Sequence, residues 1–174
     1  MFDLLVQFIL ECLNLFKFWY VMEPYESGVK LRLGRFVTVL EGGAFYWIWP
    51  FGIEKVLTEH TVPTTHSLGE ESITSKDGKS ITFHAIVTYK VNDIKKALLD
   101  IQDVDHAVRD ACSGECGRVL HESTWDEIID VAILDTLTSA CRKRGWRYGI
   151  EIMSVQLAGL AIARNFRLFN RGNS

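Results

Sequence analysis

The amino-acid sequence predicts an α+β fold: antiparallel strands, then helices, then one returning strand, all behind a hydrophobic N-terminal helix. Three observations carry this reading. Alternating apolar and polar residues mark Val29–Leu33, Lys55–Pro63 and Ile81–Val91 as strands with one buried face. From Ile94 to Cys141 the apolar spacing changes to the three-and-four rhythm of a helix. Tyr148–Leu157 then reads as a strand again, and strands, helices and a closing strand are an α+β order rather than repeated βαβ units.

The composition sets limits. A chain of 174 residues with 48% hydrophobic residues suits one domain with a short appendage. A net charge of −3 and 11% aromatic residues exclude a disordered chain. A pI near 5.9 argues against a polyanion-binding protein. The expected division is residues 1–23 as a membrane-anchoring helix, 24–160 as the α+β domain and 161–174 as a short amphipathic tail.

The N-terminal segment is the most apolar part. Between Leu4 and Met22, 15 of 19 residues are apolar or aromatic. The exceptions Gln7, Glu11, Asn14 and Lys17, with Asp3, gather within about 120° of a helical wheel. The candidate anchoring residues are Leu4, Leu5, Val6, Phe8, Ile9, Leu10, Leu13, Leu15, Phe16, Phe18, Trp19 and Tyr20. At about 1.5 Å per residue such a helix just crosses a hydrocarbon core of about 30 Å. A spanning helix would place Glu11 near mid-bilayer, which is costly, whereas an interfacial helix keeps the polar stripe wet with Trp19 and Tyr20 at headgroup depth. A soluble core helix seldom needs so wide an apolar arc, so membrane association is expected and the topology stays open. With an acidic start and no small-residue cleavage site, the segment is not a secretory signal. Glu23-Pro24 ends it. Lys30, Arg32 and Arg35 follow it, which places the domain on the cytoplasmic side.

Within the domain, Val29, Leu31 and Leu33 alternate with Lys30, Arg32 and Gly34. Gly42-Gly43 makes a turn before a dense aromatic run. Its residues Phe45, Tyr46, Trp47, Ile48, Trp49 and Phe51 are candidates for a membrane-surface belt, the alternative being ordinary core packing. Asp77-Gly78 marks a hairpin before the cleanest strand. There Ile81, Phe83, Ala85, Val87, Tyr89 and Val91 share one face, and His84 falls on the other, where it needs no catalytic role.

Asn92 or Asp93 caps a short helix with Ile94, Ala97, Leu98 and Ile101 in one stripe. A second helix carries Val104, Ala107, Val108, Ala111, Cys112 and Cys116. Its Gly114 and Gly117 cost about 1 kcal/mol each, and close approach of a neighbour is the expected compensation. Thr124 to Glu127 spells a capping box opening one continuous helix through Ile129, Ala132, Leu137 and Cys141, with Gly145 as its stop. Arg142, Lys143 and Arg144 complement the dipole of its last turn, a better account than a nucleic-acid patch. Beyond the last strand, Ile162, Phe166 and Phe169 share one side of a short helix and Arg164, Arg167 and Arg171 the other. Such a helix docks on a partner, a subunit, a membrane surface or its own domain.

Reactive constellations are missing from this sequence. Cys112 and Cys116 share a helix face, but His106 and His121 point away from it, so one helix cannot converge all four on a metal. The cysteines read instead as buried apolar thiols. Asp77 and His84 are too far apart along the hairpin to be argued as a dyad. No nucleophile–base pair or phosphate loop survives the spacing checks, so neither catalysis nor a cofactor is expected.

The order of these segments resembles the SPFH or Band 7 superfamily, in particular its stomatin- and prohibitin-like members, from about Tyr25 to Leu157. Tyr25-Glu26-Ser27-Gly28-Val29 leading to Leu31-Arg32-Leu33-Gly34-Arg35 is similar to the family's opening strand. Gly42-Gly43 followed by the run to Trp49-Pro50-Phe51, Thr74-Ser75-Lys76-Asp77-Gly78 with the strand through Val91, and Tyr148-Gly149-Ile150-Glu151 to Val155 resemble its later landmarks. The resemblance implies a non-enzymatic, membrane-associated scaffold, at a bacterial-type inner membrane or a plasma membrane, that assembles into homo-oligomers or hetero-oligomers with relatives and organises membrane microdomains. The alternative is a regulatory or adaptor subunit that binds and modulates a membrane protease, a channel or a longer SPFH-family assembly. Membrane lipids are expected as partners and nucleic acid is not. Family members usually continue into a long coiled coil, whereas 14 residues follow Leu160 here. The expectation is a smaller ring, a joint assembly with a longer relative, or a competitor that modifies one.

Overall fold

The computed structural model describes Gln7 and residues 18–162. Its elements, in chain order, are β1 (Trp19–Val21), β2 (Glu26–Arg32), β3 (Arg35–Leu40), β4 (Phe45–Trp47), β5 (Glu54–His60), β6 (Thr64–Thr74) and β7 (Ser80–Val91). There follow α1 (Ile94–Leu99), α2 (Val104–Glu122), α3 (Trp125–Ile128), α4 (Ala132–Gly145), a 3-10 turn (Trp146–Tyr148) and β8 (Ile150–Ile162). The expected α+β order holds.

All pairings are antiparallel, in a ribbon β1-β4 and sheets β3-β2-β5 and β6-β7-β8. β7 is central in its sheet, and each of its odd-numbered apolar residues from Ile81 to Val91 is buried. Helix α2 packs over β6, α4 over β8, and the helices over each other. The core they enclose is continuous with Val29 of the smaller sheet. Bulges interrupt β6 next to Gly69 and β8 next to Gly159, on either side of the His84–Ala85 rung. Extra residues at one rung bend both outer strands there, curving the sheet around its helices.

The caps explain the helix starts. Asp93 and Asp103 accept the N–H groups of Lys96 and His106 through their carboxylates. The expected capping box forms, the Glu127 carboxylate accepting the Thr124 N–H at 2.8 Å.

Several expectations are corrected. The expected helix does not extend to Met22: Trp19 and Tyr20 are strand residues, paired with Trp47 and Tyr46. Aromatic and β-branched residues take the extended state readily once a partner strand is available. The anchoring candidates Leu4, Leu5, Val6, Phe8, Ile9, Leu10, Leu13, Leu15 and Phe16 lie outside the described residues, and among the described residues no helix is long and apolar enough to cross a membrane. Leu33 leaves its strand for a turn. The helix predicted from Thr124 onward is broken after Ile128, because Asp130 offers the chain a local alternative. The Asp130 carboxylate accepts the Ala132 N–H at 3.1 Å and its carbonyl accepts that of Ile133 at 3.1 Å. Ile129, expected within the helix, is thereby exposed, as is its neighbour Val131.

The glycines also depart from expectation. A Cβ on Gly114 would meet nothing within 4 Å and one on Gly117 only Ile73 at 4.0 Å, so no close approach compensates them. Gly145 is helical and does not stop α4. It admits Ile152, whose Cγ1 would lie 3.0 Å from an added Cβ. The stop is Gly149, at φ 73°, whose carbonyl accepts the Asn92 and Asp93 N–H groups, each at 2.9 Å. Ile162, expected on a terminal helix, closes β8 opposite Ile81, and Arg164, Phe166, Arg167, Phe169 and Arg171 lie outside the described residues.

Candidate functional site

Phe45-Tyr46-Trp47 is short, aromatic and preceded by the Gly42-Gly43 turn, conditions that suit a strand with a free face. Its register with β1 sets Trp47 against Trp19, Tyr46 against Tyr20 and Phe45 against Val21. Directly opposed residues share a face. Trp19, Val21, Phe45 and Trp47 therefore form one side, and all four are exposed. Tyr20 and Tyr46 form the half-buried other side, where Tyr46 Oη accepts the Glu41 N–H at 2.8 Å and donates to the Glu41 carbonyl at 2.9 Å. Met22, fully buried, seats the ribbon beside Gly28, where an added Cβ would lie 3.1 Å from its Cε.

The outward series continues past the strand. Phe45, Trp47, Trp49 and Phe51 are 60%, 63%, 59% and 60% exposed. Tyr46 and Ile48, between them, are half-buried. Two turns flank this ridge. Leu33-Gly34 is a hairpin turn with φ of 49° and 78°, and Phe51-Gly52 has φ of 62° and 73°. The Leu33 N–H donates to the Ile53 carbonyl at 2.8 Å and ties the tips together. A bulky residue at positive φ costs about 1–3 kcal/mol, and asparagine is the usual occupant of such a turn. Here the positions hold leucine, 78% exposed, and phenylalanine. Soluble monomers rarely expose contiguous apolar patches beyond a few hundred Å², and larger ones mark contact surfaces.

A buried carboxylate holds this arrangement. Glu54 opens β5 with its side chain fully out of solvent. Its Oε1 accepts the Arg32 Nε and Nη2 donors at 2.8 and 2.7 Å, and its Oε2 accepts the Trp49 N–H at 3.0 Å, with Lys30 Nζ at 3.5 Å. Burial pushes the Glu54 carboxyl up, but the Trp49 N–H, the Arg32 fork and the Lys30 charge together hold it below the usual carboxylate range.

The candidate reactive groups elsewhere have structural partners. Cys112, Cys116 and Cys141 are buried, with Cys116 Sγ 3.8 Å from Cys141 Sγ. Hydrogen bonding to Cys141 and burial push the Cys112 and Cys116 thiols up, away from thiolate reactivity. His106 faces Asp110 at 3.4 Å, and His121 Nδ1 lies 2.6 Å from the Thr74 carbonyl on the exposed side, so neither joins the cysteines. His84 Nε2 meets Ser67 Oγ at 2.7 Å in the sheet, while Asp77 pairs with Lys79 at 2.8 Å in the hairpin. The Tyr89 hydroxyl donates to Asp105, which His66 approaches at 3.4 Å. Arg142 Nε donates to the Ile152 carbonyl at 3.1 Å, as befits a packing role for the basic end of α4.

The structure thus sets Trp19, Phe45 and Trp47 on one exposed face, leaves Trp49 and Phe51 exposed in the following loop, and half-buries Tyr20, Tyr46 and Ile48. Sequence reasoning missed Val21, Leu33 and Glu54. The odd-numbered rhythm from Phe45 to Phe51 was a usable signal for which aromatics face out, and Leu33-Gly34 between two alternating runs was one for a two-residue turn. Nothing local marked Glu54.

By class, this is an α+β domain that exposes an apolar, largely aromatic face. The sequence matches the SPFH domain / Band 7 family over residues 20–167, most of the chain, and the chain belongs to that family. It is similar to uncharacterized archaeal proteins. One from Methanocaldococcus jannaschii is 27% identical over 146 residues, 79% of this chain and 69% of the relative. One from Archaeoglobus fulgidus is 25% identical over 156 residues, 84% of this chain and 59% of the relative. A third, from Methanothermobacter thermautotrophicus, is 25% identical over 154 residues, 83% of this chain and 47% of the relative. The match therefore spans less than two thirds of the last two proteins.

Proposed function

We propose that this protein is a non-enzymatic membrane-associated scaffold that docks on the bilayer surface through the ridge Trp19, Phe45, Trp47, Trp49 and Phe51, and assembles through its SPFH domain. The observation that carries the reading is that Trp19, Phe45 and Trp47 share one exposed face, with Trp49 and Phe51 exposed in the loop that follows it. Indole and phenyl rings at headgroup depth recover the apolar contact that water denies them. Family membership supports the scaffold role.

The test is flotation of the full chain with liposomes, comparing wild type with Trp47→Ser/Trp49→Ser. Both side chains are largely exposed, so the variant keeps its circular dichroism and melting point while partitioning falls. Unchanged partitioning of a folded variant rejects the ridge. The mass of the complex extracted in mild detergent tests assembly separately: a monodisperse monomer rejects the scaffold, and a stoichiometric protease or channel in it favours an adaptor role.

A further inference from the structure

We infer that the bilayer this ridge meets is anionic, the end bearing Trp49, Phe51 and Leu33 fitting phospholipid headgroups of net negative charge. The inference rests on the membrane-facing reading above and adds the class of lipid.

The charge distribution carries it. In the small sheet Arg32 lies opposite both Arg35 and Glu54, and Lys30 stands two residues away, so all four share the face beneath the aromatic loop. The only carboxylate among them, Glu54, is buried and already engaged by Lys30, Arg32 and the Trp49 N–H. Arg35 is exposed, and its side chain has no ion pair or hydrogen bond among the described residues. Lys55, which follows Glu54 in β5 and stands opposite Leu31 on the other face of the sheet, is likewise exposed and without an ionic partner among them. This end of the ridge therefore carries an uncompensated positive excess beside its apolar tips.

The acids collect at the other end. The register runs from Trp19 and Trp47 to Val21 and Phe45, and beyond these stand Glu23 and Glu41. The intervening turn is packed there: a Cβ on Gly42 would lie 2.5–2.8 Å from the carbonyls of Glu26, Glu23 and Pro24. The cations of the small sheet and the carboxylates flanking the ribbon thus stand apart, which orients the domain tip-first in the field of an anionic surface. A guanidinium such as that of Arg35 forks onto a phosphate oxygen pair, while Leu33 and Phe51 enter the adjoining apolar layer.

The experiment is co-sedimentation of the full chain with vesicles of phosphatidylcholine alone and of an equimolar phosphatidylcholine–phosphatidylglycerol mixture, read as the ratio of the two affinities. Wild type prefers the mixed vesicles, and salt weakens the preference. Arg35→Gln/Lys55→Gln lowers the ratio roughly 25-fold, about fivefold for each cation removed. Arg35→Lys/Lys55→Arg retains it, a control for folding and for charge alone. A wild-type ratio near one, or a ratio unaltered in Arg35→Gln/Lys55→Gln, overturns the inference, as does equally tight binding of a single-stranded oligonucleotide. The two readings fail separately. If Trp47→Ser/Trp49→Ser weakens binding to both vesicle types while the wild-type ratio is one, the ridge stands and the lipid class falls. If those tryptophan changes alter neither binding, the ridge itself fails.

Discussion

The Glu54 carboxylate accepts the backbone N–H of Trp49 at 3.0 Å, so a buried charge in β5 sets the position of an exposed indole. The same carboxylate receives Arg32 from β2. One side chain therefore joins the small sheet to the loop that carries the outer half of the aromatic ridge.

Replacing Glu54 by Gln removes the charge and keeps the shape. Hydrogen bonds to a charged group contribute about 1.5–3 kcal/mol, so Glu54→Gln lowers unfolding free energy by that amount in urea titration. The acid dependence has a definite sign. The folded carboxyl titrates below its ordinary value of 4.5, so its contribution is complete above that pH and is lost as pH falls through the folded value. Tryptophan emission of wild type reports an acid transition below pH 4.5 that Glu54→Gln lacks. An identical acid profile in both proteins would refute this assignment.

Two glycines respond oppositely to alanine. At Gly149 φ is 73° and an added Cβ would lie 2.7 Å from the Asp93 carbonyl oxygen, so Gly149→Ala destabilises by about 1–3 kcal/mol. At Gly114 the helix is regular and the surrounding space open, so Gly114→Ala stabilises by about 0.5–1 kcal/mol. Thermal melts of both variants decide the matter together.

Leu33→Asn separates stability from surface contact. Asparagine accepts the left-handed conformation that leucine resists, and the melting point rises by the equivalent of up to about 1 kcal/mol. The same change removes an exposed apolar tip and weakens vesicle binding several-fold. A variant that gains stability without losing binding would remove Leu33 from the contact surface.

Cys112, Cys116 and Cys141 are inaccessible in the folded domain. Thiol labelling followed by peptide mapping finds all three protected in buffer and modified in denaturant, in step with unfolding. Rapid native labelling of Cys116 or Cys141 would contradict the packing of α2 against α4.

Much of this fold was legible because its signals are local. The face of β7 follows from a two-residue period, the start of α3 from a capping box, and the start of α1 from Asp93, each determined by residues within one or two turns of chain. Those same rules misread Asp130, where a side-chain hydrogen bond over two residues competed successfully with continued helix.

The sequence by itself determined the family, the α+β order, the buried face of the central strand and the concentration of aromatics after Gly42-Gly43. The tertiary structure decided that Trp19–Val21 would be a strand, because that state requires β4 as its partner. It also decided which residues join those aromatics, because cross-strand register sets Trp47 beside Trp19 and Phe45 beside Val21. Glu54 is the clearest case: a carboxylate is buried only where cations and an N–H from distant segments converge on it, and no pattern along the chain records that convergence.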